Sequence, residues 1–276
     1  MKFRSMIAYT LRESLAKKTF LGFFVITTIV HLLFMFALNV DIVSGGQAAM
    51  SLFGKDIPET VDMEKLMIGF KHIMSGLAVL MLTGGIFLAI FATGSLVPNM
   101  LEKGSVDLIL SRPIPRWQIL LGRYCGAVGL VAINVFYMTV GVWLIISLKI
   151  GLWHWPFLAS GLVIVATFAV LFAIMTFIGV TVRNSGVSMM AAWFVMFFSP
   201  LLFQRDKIYA LLSEKIWQWL LDGIYYLIPR TFELGDITRR VVAGEPITDW
   251  SPLIQSVLVG VGFLSAAILV FERKDF

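Results

Sequence analysis

The residues in this chain that could do chemistry are few and scattered. Three histidines, His31, His72 and His154, lie far apart, and no H-E-x-x-H or similar metal-ligand spacing occurs. Cys125 is the single cysteine, which excludes an intramolecular disulfide and a thiolate metal cluster. Gly54-Lys55 is followed by Asp56 and lacks the upstream glycine of G-x-x-x-x-G-K-[ST], so no recognisable phosphate-cradling loop is present. The expectation is a chain with no catalytic residues, no metal and no cofactor of its own.

One stretch concentrates what remains. Residues 102–123 read Glu-Lys-Gly-Ser-Val-Asp-Leu-Ile-Leu-Ser-Arg-Pro-Ile-Pro-Arg-Trp-Gln-Ile-Leu-Leu-Gly-Arg. Val106, Leu108, Ile109 and Leu110 make a short apolar patch between charged residues. Arg112-Pro113-Ile114-Pro115 is a stiff turn, because each proline fixes its own φ and restricts the residue before it. Trp117 to Leu121 then restarts a helix. A charged, rigid, half-apolar knob suits docking into another protein; the alternative is a loop whose arginines lie on lipid phosphates.

The elements that position this knob follow from composition. Of the 276 residues, 59% are hydrophobic and 14% charged, with a mean hydropathy of +0.89. Soluble domains average about 45–50% apolar and about 25% charged. Six uncharged apolar runs, at about 19–40, 73–97, 124–148, 155–182, 185–204 and 253–271, approach or exceed the roughly 20 residues a spanning helix needs. The predicted fold is therefore an all-α integral membrane protein, a single transmembrane domain of six helices over residues 1–276. Pro98 and Asn99 end the second run, Pro200 breaks the far end of the fifth, and Pro252 opens the sixth. Only Arg183 and Asn184 separate the fourth and fifth runs, which makes those two helices a tight antiparallel pair.

Residues 1–18 differ in character. Phe3, Met6, Ile7, Leu11 and Leu15 share one helical face, opposite Lys2, Ser5, Arg12 and Glu13, which predicts an amphipathic interface helix. Residues 205–252, rich in Trp217, Trp219, Tyr225 and Tyr226 around 208–228, predict a helix or helical hairpin at the other membrane surface. His31 reads as a structural, hydrogen-bonded histidine within a span. The glycine pairs Gly122-x-x-x-Gly126 and Gly84-Gly85 allow close helix approach, including at a dimer contact.

More than half of the 22 basic residues fall on the short segments that share a side with the N-terminus. By the positive-inside rule both termini and residues 99–123 are cytoplasmic, and 41–72 and 205–252 are external. The modest charge of +5 is spread near span ends, which suits anionic lipid headgroups and argues against nucleic acid. The spans are almost free of carboxylates, so an ion-coupled transporter is disfavoured and the energy for any transport must enter from another subunit.

The run Glu102-x-Gly104-Ser105, Leu110-Ser111-Arg112-Pro113, Arg116-Trp117-x-x-Leu120-x-Gly122-Arg123 resembles the signature loop of type-two ABC transporter permeases. The ending Phe271-x-Arg273-Lys274-Asp275-Phe276 is similar to that family's C-terminus. Ser105 and Arg123 stand where threonine and lysine are common, keeping hydroxyl and charge. The resemblance implies a permease subunit of an exporter, paired with a second copy or a paralogous permease, that binds a separate ABC ATPase carrying the ATP and Mg. The loop would be the coupling helix seated in a cleft of that ATPase, with Glu102, Gly104, Asp107, Arg112, Pro113, Arg116 and Trp117 as its contact and lever residues and Arg183 as a minor second contact. An alternative is an ABC complex that transmits motion to an external partner without transport.

Overall fold

The computed structural model describes residues 2–16, 18–43, 47–52, 55–56, 63–102, 104, 114–205, 207 and 215–274. In chain order these form α1 (Lys2–Ala16), α2 (Lys18–Ala37), β1 (Leu38–Val43), β2 (Gln47–Leu52), β3 (Lys55–Asp56), α3 (Met63–Thr93), α4 (Leu96–Met100), α5 (Arg116–Ile150), α6 (Pro156–Val182), α7 (Ser185–Phe203), α8 (Lys215–Leu227), α9 (Thr231–Ala243) and α10 (Ser251–Arg273). The membrane body is all-α. Among the described residues five stretches, in α3–α4, α5, α6, α7 and α10, are long and apolar enough to span, and α2 carries a shorter apolar stretch, Phe20–Phe36.

α6 is the central post, with 72% of its apolar window buried against 17% for α10. Phe157, Ile164, Phe168 and Phe172 form its fully buried spine. α5, α7 and α10 pack on α6, and α2 packs on α5. Leu21, Ile29, Leu33 and Phe36 of α2 and Ile254, Leu258 and Leu269 of α10 are exposed, as expected of faces that meet lipid tails.

Helix ends differ from the apolar runs in instructive ways. α2 stops at Ala37, and Leu38 begins an antiparallel β1-β2-β3 ribbon in which Asn39 pairs with Ser51 and Leu52 with Lys55. α3 breaks at Gly94-Ser95 instead of at Pro98, which sits inside the short α4. Pro200 lies within α7, and the helix continues to Phe203. The proline removes one backbone donor without ending the helix, because three residues suffice to finish the turn.

α1 lies along α5. Gly122 and Gly126 form its seat: a Cβ on Gly122 would stand 2.8 Å from Met6 Cγ, and one on Gly126 2.7 Å from Thr10 Cβ. The small-residue pair thus serves a contact inside the chain. Above that seat Arg123, 2% exposed, donates to Glu13 at 2.5 Å, and its guanidinium sits 5.6 Å from the Tyr9 ring centroid. Higher on α5, Thr27 donates to Asn134 at 3.1 Å and His31 contacts the Met138 carbonyl at 3.1 Å. His31 packs edge-on to Tyr137, over Gly141, which leaves no room for a Cβ there. This is the hydrogen-bonded structural role expected for it.

At the opposite end of the bundle from Glu102 and Arg116, α8 and α9 form a helical hairpin turning at Pro229-Arg230. Its backbone donors are seated by span serines: Arg230 N–H donates to Ser256 Oγ at 3.1 Å and Phe232 N–H to Ser199 Oγ at 3.0 Å. α9 packs inward on the bundle. Leu234, Ile237, Thr238 and Val242 bury one of its faces against α3 and α6. Tyr225 clasps the hairpin, its Oη donating to Glu233 at 2.7 Å with the Arg205 and Arg230 guanidiniums 3.8 and 4.1 Å from its ring centroid. Burial, then the Glu233 bond, push its phenol up to about 12, so it remains a donor.

Candidate coupling site

α5 starts where the stiff turn predicts. Pro115 is its N-cap in an extended conformation, and its carbonyl accepts from Gln118 N–H at 3.0 Å, closing the first turn. Arg116 and Trp117 follow, half-buried and exposed respectively. Glu102, just past α4, is exposed, and Gly104 adopts φ +87°, a left-handed value that disfavours a side chain. Asp107, Arg112 and Pro113 lie outside the described residues.

Arg116 is tied to the end of the chain. Its Nη1 donates to the Glu272 carbonyl at 3.1 Å and to the Lys274 carbonyl at 2.8 Å. Lys274 Nζ in turn donates to the carbonyls of Val180 and Thr181 in the last turn of α6, at 2.7 and 3.0 Å. Each cation satisfies carbonyls that a helix C-terminus leaves without intrahelical partners, at the negative end of the helix dipole. Burial, then the nearby Arg183 charge, hold the Lys274 ammonium below the usual lysine range. The first turn of α5 and the last turns of α6 and α10 are therefore laced together, and Arg116 and Arg183 stand at the same end of the bundle. Lys274 is the member of this lacing that side-chain chemistry alone did not single out; its signal in the sequence is the Phe271-x-Arg273-Lys274 ending.

Arg183 makes the α6–α7 turn in a left-handed conformation, φ +58°, with its N–H on the Gly179 carbonyl at 3.0 Å. Asn184 caps α7 by accepting from Val187 N–H at 3.2 Å. A non-glycine residue in this region is strained, by about 1 kcal/mol. Arg183→Gly is expected to keep the turn and raise the thermal midpoint while removing the charge. A fall in the melting temperature would show that the Arg183 side chain, and not its backbone alone, holds the turn.

Among the described residues no group of three His, Cys, Asp or Glu is placed to hold a metal. What the described residues do is mechanical: Arg116 and Lys274 fix three helix ends to one another. A bundle with five helices, among the described residues, long and apolar enough to cross a membrane is the architecture of a polytopic membrane protein. The chain belongs to the ABC-2 family: the profile of the ABC-2 family transporter protein matches residues 7–276. It is thus an ABC-2 type permease and a multi-pass membrane protein. No individual curated protein matches it.

Proposed function

We propose that this permease works in an ABC exporter, paired with a second permease subunit and driven by a separate cytoplasmic ATPase that carries the ATP and Mg. The observation that best supports this reading is the lacing of α5, α6 and α10 by Arg116 and Lys274. A push on residues 102–116 reaches α5 through its first turn, and the same bonds carry it to the central post α6 and to α10. Packed helices move as bodies, so displacement at the loop becomes rearrangement at the hairpin end. On this reading Glu102, Asp107, Arg112 and Arg116 offer charge to the ATPase, and Pro113 and Trp117 stiffen the lever. Both termini and the loop face the cytoplasm, with residues 41–72 and 205–252 outside.

Two measurements test this. The purified permease alone should show no ATP hydrolysis, and hydrolysis should appear when its ATPase is added; turnover by the pure permease would overturn the division of labour. In a Cys125→Ser background, Glu59→Cys and Glu245→Cys should react with an impermeant thiol reagent in intact cells, and Asp107→Cys should not. The reverse pattern would invert the orientation.

A further inference from the structure

Two cavities open side by side between α9 and the spans. The larger, about 600 Å³, is lined chiefly by apolar residues of α3, α6 and α7, among them Leu82, Ile86, Leu171 and Phe197. The smaller, about 430 Å³, is lined by Lys71, His72 and Ser75 of α3 and by Glu245. Val79 and Arg239 line both, so the two form one groove with an apolar and a polar compartment. Volumes of this size, with few polar groups at one end, are those of small-molecule sites.

We infer that this groove binds a phospholipid from the leaflet at the hairpin end, with a monoanionic phosphodiester head in the polar compartment and an acyl chain in the apolar one. The charge balance selects the head. Lys71, Arg239 and Arg240 face the groove against Asp236 and Glu245, an excess of one cation. Asp236 binds Arg239 at 3.1 Å and Arg240 at 2.7 Å, and Glu245 grips Arg239 through two bonds of 3.1 Å. These pairs engage the donor edges of Arg239 and fix both guanidiniums in place, so the net positive charge at the groove falls to Lys71. Among the described residues no carboxylate pairs with Lys71, which supplies the excess.

Two further observations point to an occupant. Thr231 is 4% exposed, lines the apolar compartment, and its hydroxyl has no partner among the described residues. Gly235 and Gly76 sit inside helices, one lining each compartment, and a Cβ on either would meet no atom within 4 Å. Helix-interior glycine is unfavourable, and no protein atom requires it at either place. The space beside them is the groove.

This binding does not depend on export or on the ATPase, so it is tested on the permease alone in phosphatidylcholine nanodiscs. Traces of phosphatidylglycerol, phosphatidylethanolamine or phosphatidylcholine, each with a photoreactive group in the acyl chain, are crosslinked and the adducts mapped. Phosphatidylglycerol should label peptides of α3, α7 and α9 in preference to the other two. Gly235→Leu should block that labelling by filling the groove, and it replaces a poor helix former with a good one. Lys71→Gln should lower the phosphatidylglycerol preference by about tenfold, the loss of one charge-assisted hydrogen bond, with the fold unchanged. Equal labelling by the three heads, or labelling indifferent to both substitutions, would mean bulk lipid contact and overturn the inference. Failure here would leave the ATPase-driven reading intact, since no ATPase is present.

Discussion

Glu13→Gln is expected to destabilise the protein by about 3 kcal/mol, because it leaves a buried guanidinium without its counter-charge. Arg123 is 2% exposed and Glu13 27%, so the penalty falls mainly on the arginine side and at the lower end of such losses. The thermal midpoint in nanodiscs should fall. The double variant Glu13→Gln, Arg123→Met should recover much of the loss, since the cost lies in the orphaned charge more than in the absent bond. A single variant that melts like the parent would show that α1 is held by Met6 and Thr10 on the glycine seat alone. Because α1 lies on the half of α5 that follows the loop, the same variant should also weaken coupling between ATP hydrolysis and membrane work.

Arg116→Glu is expected to lose the ATPase subunit on purification. Close charge pairs across protein contacts are worth about 1.5–7 kcal/mol, and reversal turns attraction into repulsion. The substitution also cuts the bonds from Arg116 to the Glu272 and Lys274 carbonyls, so a second variant separates the two effects. Lys274→Ala loosens α6 from the strap and leaves the loop's charge unaltered; it should keep the ATPase. Pro113→Gly should likewise keep it while losing coupled function, because a loosened turn absorbs the push. Should Lys274→Ala shed the ATPase as fully as Arg116→Glu, Arg116 acts through the strap and makes no contact of its own.

The spans were legible because each is a long run without charge, and a bilayer leaves the backbone no alternative to the helix. Their ends were less so. α3 begins at Met63, well before its apolar run, whereas α5 begins where the proline turn places it, ahead of its own run. The β1–β2 ribbon went unread, although Gly45-Gly46 between two short apolar segments is a hairpin signal. α9 was hidden by its own charges: Glu233, Asp236, Arg239 and Arg240 read as surface, while Leu234, Ile237, Thr238 and Val242 at helical spacing mark the buried face. The Glu13–Arg123 pair and the Arg116–Lys274 strap join residues more than a hundred positions apart, which local periodicity cannot relate. Gly122 and Gly126 announced a close approach without naming the partner, which is α1.

The most direct test places a single cysteine at Asp107 in the Cys125→Ser background and crosslinks native membranes with a short thiol-to-amine reagent. The prediction is an adduct between this permease and an ABC ATPase, altered in yield when ATP is trapped on the enzyme, and absent when the cysteine stands at Glu245. No ATPase adduct from Asp107→Cys, in a permease that still exports or still co-purifies with its ATPase, would contradict the assignment of residues 102–123 as the coupling element.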